Sequence, residues 1–137
     1  MEVWIGPVNF VATLAGRAGG RAGRCCARFA GGGDVAGASI RLQQGNLFAG
    51  INEGIPAHTK LELGASGAAV LDLAGFNQTL SALTKGAQAA TVTNSAAGAV
   101  TSTLSLDSTL GTSNFVGVLA DGASSKLAFA KVGDGVF

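Results

Sequence analysis

Residues with reactive side chains are few and scattered along the chain. His58 is the single histidine among the 137 residues, and it follows Pro56 and Ala57 just before an apolar alternation at Thr59–Leu63. One imidazole is one ligand and makes no metal site alone. As a general base it would need a positioned nucleophile and an orienting carboxylate; a solvated turn residue is expected. Acyl transfer is disfavoured, because Gly64-Ala65-Ser66-Gly67 lacks the spacing of a nucleophile elbow and no other serine is flanked as a hydrolase serine would be. Glycoside hydrolysis would call on two carboxylates at a set separation. Glu62, Asp72, Asp107, Asp121 and Asp134 each stand singly in a strand or turn context, so solvated faces and turn formation are their expected roles.

The remaining candidates are equally sparse. Cys25 and Cys26 are adjacent, with no further Cys and no nearby His at ligand spacing. Gly31-Gly32-Gly33-Asp34 is a single copy of a glycine-aspartate pattern, without the strand period that a calcium-binding repeat requires. No Gly-Lys-Ser/Thr follows it, so it is no phosphate loop. Asn77-Gln78-Thr79 is a formal glycosylation sequon, but a turn asparagine or one stacked inside a corner is the expected role. Phe76, Phe115 and Phe129 are expected to fill a core or cap an edge. No residue is therefore assigned to catalysis, to a cofactor or to a metal, and the chain is not expected to be an enzyme.

Composition narrows the function classes further. Charged residues make up 12 % of the chain, the formal net charge is +1, and mean hydropathy is +0.41. Disorder needs low hydrophobicity and high net charge, so a packed state is expected. Arg17, Arg21, Arg24 and Arg28 sit near the start, and the long remainder is mildly acidic without a basic stripe. Phosphate backbones would find nothing to hold there, and nucleic-acid binding is not expected. The longest uncharged stretch, between Lys85 and Asp107, is rich in Gly, Ser, Thr, Gln and Asn and reads as no membrane span. Val3–Gly16 is apolar, but its arginines follow instead of preceding, and Pro7 and Asn9 interrupt it, so it is not read as a signal peptide.

Elements that would position any site come in two regimes meeting near residue 35. Residues 1–35 contain a Gly-Ala-Arg run with neither a helical nor a strand period, read as a flexible lead-in or the product of a misplaced start codon. Residues 36–137 carry short apolar alternations: Leu61-Glu62-Leu63, Leu71-Asp72-Leu73, Ala90–Thr93, Leu104-Ser105-Leu106, Phe115–Leu119 and Leu127–Phe129. Their spacing is that of an all-β sandwich, barrel or solenoid. Strand side chains alternate faces, so each Leu-x-Leu pair points inward while Glu62, Asp72 and Ser105 are expected in solvent. Asp121-Gly122 and Asp134-Gly135 are hairpin signals, whereas the other links are small-residue runs, which leans towards coils stacked in a solenoid.

Three motifs, in order, resemble the autotransporter-associated β-strand repeat of bacterial passenger domains. They are Leu71-Asp72-Leu73-Ala74-Gly75-Phe76-Asn77-Gln78-Thr79-Leu80, then Ala90–Ser95 running into Leu104–Leu106, then Phe115-Val116-Gly117-Val118-Leu119-Ala120-Asp121-Gly122 continuing to Lys131-Val132-Gly133-Asp134-Gly135. The resemblance covers roughly residues 40–137. It implies a right-handed parallel β-helix, here an incomplete piece of one, acting as a stalk or spacer that supports adhesion at a Gram-negative cell surface or after secretion through the outer membrane. Implied partners are neighbouring coils of the parent passenger, a host surface or further copies, with no direct membrane span. Two rivals stand beside it. A polysaccharide-active β-helix enzyme would need acids converging in a groove, and an antiparallel sandwich used as a binding module would need antiparallel pairing.

Overall fold

The computed structural model describes residues 39–55, 57–110 and 112–137, together with the backbone of three short strands nearer the start, β1 (Val3–Ile5), β2 (Ala12–Ala15) and β3 (Cys26–Phe29). The rest of the proposed lead-in, including most of the Arg17–Gly33 run, lies outside the described residues. Ten strands follow: β4 (Ser39–Leu42), β5 (Gly45–Ala49), β6 (Lys60–Leu63), β7 (Ala69–Asp72), β8 (Gln78–Leu80), β9 (Ala82–Lys85), β10 (Ala90–Thr93), β11 (Thr101–Asp107), β12 (Val118–Leu119) and β13 (Lys126–Val132). The described residues contain no α-helix, and a single 3-10 turn sits at Ser108–Leu110.

The strands wind into three sheets ordered β1-β4-β6-β9, β12-β10-β7-β5-β3-β2 and β13-β11-β8. From β4 onward every neighbouring pair runs parallel, each strand lying on the one a coil earlier. Among the described residues antiparallel pairing occurs only between β1 and β4 and between β2 and β3. The architecture is thus a β-solenoid of about four turns, and an antiparallel sandwich is eliminated. Parallel strands cannot be joined by tight turns; here the chain passes through the other two sheets before returning, which supplies the crossover.

Register explains the core. Ile40, Leu61 and Leu83 stack through β4, β6 and β9, while Leu47, Leu71 and Val92 stack through β5, β7 and β10. In the third sheet Leu80 lies under Leu106 and Leu104 under Phe129. These side chains are buried, except Phe129, which with Phe115 and Leu127 is partly buried against the cluster. Each coil alone has no second layer to cover its apolar residues, so burial comes from its neighbours. Phe129 also meets Phe137, with ring centroids 4.9 Å apart.

Among the described residues the first coil has no strand in the third sheet. Its place is taken by the turn Ile51–Ile55, which satisfies the lower edge of β8 with a mixture of backbone and side-chain groups. Gln78 is fully buried; its Nε2 donates to the Ile51 carbonyl at 2.7 Å and its Oε1 accepts the Ile55 amide at 2.9 Å. The Glu53 carboxylate accepts the Thr79 amide at 2.8 Å and the Thr79 hydroxyl at 3.0 Å, and the Glu53 amide donates to the Asn77 carbonyl.

Three expectations change. Asp72 does not face solvent: β7 ends at this residue, the chain bends, and Asp72 is only 4 % exposed. Its carboxylate turns back to cap the bend, which also lets Leu73 point inward despite the alternation. The strand expected over Phe115–Leu119 shortens to Val118–Leu119, with a lone bridge between Thr84 and Asn114. Asp121-Gly122 is not a hairpin turn but the corner between β12 and β13.

Candidate functional site

A groove of about 720 Å³ runs along the outward face of β4, β6 and β9, with Arg41, Lys60, Glu62, Gln43, Thr84 and Thr112 among its lining residues. Strand alternation puts Arg41 and Glu62 on this outer face, and parallel register sets them side by side. The Arg41 Nε donates to Glu62 Oε2 at 2.8 Å and Nη2 donates to Oε1 at 3.2 Å. Glu62, the one carboxylate in the groove, is therefore committed to a guanidinium.

The other acids are engaged one by one at separate places. Asp72 Oδ1 accepts the amides of Ala74 and Ser95, both at 2.9 Å, tying one coil's corner to the next. Asp107 Oδ1 accepts the Thr109 amide at 3.2 Å, and the hydrogen bonds from Thr109 hold this carboxyl below the usual range. Asp121 Oδ1 accepts the Leu127 amide at 2.8 Å and Oδ2 meets Lys126 Nζ at 3.0 Å; that amide first, then the ammonium, holds Asp121 below the usual range. Stability contributed by these depressed carboxyls is present above their unfolded value of about 3.9 and is lost as pH falls through the lower folded value. Among the described residues no three of His, Cys, Asp and Glu group as metal ligands would.

His58 is half-buried, not solvated. It adopts φ 65°, its carbonyl accepts the Ser81 hydroxyl at 2.8 Å, and its Nδ1 is enclosed without a hydrogen-bond partner. Asn77 stays exposed at a corner, linking coils as Asn52 Oδ1 accepts its amide and its own Oδ1 accepts the Thr103 amide. Phe76 is half-buried in the adjoining turn, its amide donating to the Leu73 carbonyl. Cys25 and Asp34 lie outside the described residues; Cys26 begins β3.

The buried corner asparagine is Asn94. Fully enclosed, it accepts the Gly75 amide at 2.9 Å and the Ala96 amide at 3.4 Å through Oδ1. Its Nδ2 donates to the Lys126 carbonyl at 2.8 Å and the Val100 carbonyl at 3.2 Å, so one side chain bonds to the coils on both sides of its own. The Asn94 carbonyl accepts the Ser125 hydroxyl in a buried contact. Gly122 lies against the same carbonyl: a Cβ there would collide with it and stand 2.6 Å from Ser125 Oγ. Gly122→Ala is therefore expected to cost about 1–3 kcal/mol, read from urea denaturation. A loss below about 0.5 kcal/mol would mean that the corner moves aside freely.

This set of inter-coil bonds and the Arg41–Glu62 groove are the polar constellations that the fold builds. No family model, curated protein or solved structure matches the chain. Among the described residues no helix is long and apolar enough to cross a membrane.

Proposed function

We propose that this chain is a structural stalk or spacer segment of an exported cell-surface protein, of the kind carried by the autotransporter-associated repeat that residues 40–137 resemble. The observation that carries the reading is register-locked stacking: parallel coils pile the same apolar columns one above another, and polar corner residues bond across coil boundaries. A solenoid built so gains length one coil at a time, because each unit contacts only its neighbours. Supporting it, the acids are separately occupied by an arginine, by backbone amides or by a lysine, whereas a glycosidase pair would face a shared space. In the parent protein such a segment holds adhesive or effector regions away from the cell.

The spacer role is tested by lengthening it. Lys60 and Ala82 are register partners, so duplicating residues 60–81 inserts one whole coil. The expected product folds cooperatively, is longer by about 4.8 Å along the stacking axis, and resists urea better than the unmodified chain. An insertion that unfolds the protein would overturn the reading. Export is tested in the flanking DNA, where further coils and a translocating barrel are expected in the same frame; a frame encoding neither would overturn that half.

A further inference from the structure

A coil with no layer against it shows this in its inward residues. In the last coil Leu119 is exposed, and Leu127 and Phe129 are half-buried. The first coil differs. Its inward residues Ile40, Leu42, Leu47, Ala49 and Ile55 are at most 2 % exposed, as deeply enclosed as Leu61, Leu71 and Leu83 one or two coils higher. Apolar residues at the foot of a column are enclosed this far only when something lies beneath them. Each sheet has its own cover there. In the first sheet β1 lies under β4, and in the second β3 and then β2 lie under β5. The Ile51–Ile55 turn lies under β8 in the third.

We infer that β1, β2 and β3 are a cap that closes the solenoid beneath its first coil, a role that rests on the fold and not on the spacer reading. Strand direction points the same way. From β4 upward each strand keeps the direction of the one beneath it, whereas β1 runs against β4 and β2 runs against β3. The lower boundary of both sheets is thus a reversed strand, and a coil winding in the common direction finds no continuing register there. The cap also takes up backbone groups of the first coil. The Gly64 amide donates to the Leu42 carbonyl and the Gly45 amide to the Ala68 carbonyl, so alternation turns the amides of Arg41, Asn46 and Phe48 downward. There the register sets Arg41 against Trp4, Asn46 against Cys26 and Phe48 against Arg28. Left uncovered, those amides would form an edge on which a foreign strand could pair, and stacked-repeat proteins need closing layers of this kind to stay soluble.

The test is hydrogen exchange read at single amides of the full chain. In the unmodified chain Arg41, Asn46 and Phe48 are expected to exchange at least about a hundredfold more slowly than in an unstructured peptide. Thr91, whose amide meets β7 in the middle of the second sheet, is the internal reference. Trp4→Pro removes a β1 donor and is expected to speed exchange at Arg41 by about tenfold, the worth of one hydrogen bond, while Thr91 is unchanged. Ala27→Pro should do the same at Asn46 and Phe48. Unprotected amides at Arg41, Asn46 and Phe48 in the unmodified chain would overturn the inference whether or not the variants fold. So would folded variants that exchange as the unmodified chain does. Acceleration at Thr91 as large as at the targeted amides would also overturn it, because β1 and β3 would then be no layer separable from the stack.

Discussion

Leu71→Ala is expected to lower the free energy of unfolding by about 3–4 kcal/mol. The residue is fully buried at the centre of the six-stranded sheet, with Leu47 one coil below and Val92 one coil above. Truncation removes contacts on both sides at once, and the register-fixed backbones above and below limit collapse into the space left. Urea denaturation monitored by circular dichroism gives the number, and Val116→Ala provides the contrast. Val116 is 73 % exposed, so its loss should stay within about 0.5 kcal/mol. A loss for Leu71→Ala below about 1 kcal/mol would mean that the columns are loosely packed and the coils are not locked.

Asn94→Leu should be comparably severe, at about 3–4 kcal/mol, although the substitution keeps the branching and heavy-atom count of the side chain. It strands the buried Gly75 amide, which donates to this side chain, and takes the side-chain donor from the carbonyls of Val100 and Lys126 on the next coil; unpaired buried polar groups carry their desolvation cost. Asn94→Asp separates shape from chemistry. The carboxylate keeps the acceptor for Gly75 but turns an anion towards two carbonyl oxygens, so its folded pKa is raised above the unfolded value of about 3.9. Stability of this variant is therefore greatest below the unfolded pKa and falls as pH rises through the folded one. Denaturation midpoints measured at pH 4 and pH 7 check the sign. A midpoint independent of pH would place residue 94 in solvent and remove it from the inter-coil network.

How much of this was legible depended on whether a side chain obeyed strand alternation. Ala90–Thr93 is a strand over the very residues that its pattern marks, and Leu104–Leu106 and Leu127–Phe129 lie within longer strands. There inward and outward positions alternate and local pattern suffices. The same parity carries a signal that was passed over: residues 90, 92 and 94 share a face, as do 78 and 80, so Asn94 and Gln78 had to point inward with Val92 and Leu80. Asp72 was illegible for a different reason. Its burial follows from a bend that ends β7 and from the Ser95 amide on the next coil, a partner 23 residues away that no local pattern reveals. The Arg41–Glu62 pairing is likewise set by register across 21 residues. The strand expected at Phe115–Leu119 begins only at Val118; just before it Gly117 lies so close to the Ala90 carbonyl and the Phe115 ring that a Cβ would have no room, a non-local approach that alternation does not encode.

The Ile51–Ile55 turn gives the third sheet a floor. With Gln78 and Glu53 consuming the lower groups of β8, that sheet has a passivated lower boundary, and β11 and β13 stack from β8 in one direction. Assembly of the stack is then polar, like a crystal advancing from an inert substrate: each arriving layer inherits its alignment from the layer beneath, and a slip in a late layer leaves the earlier ones undisturbed.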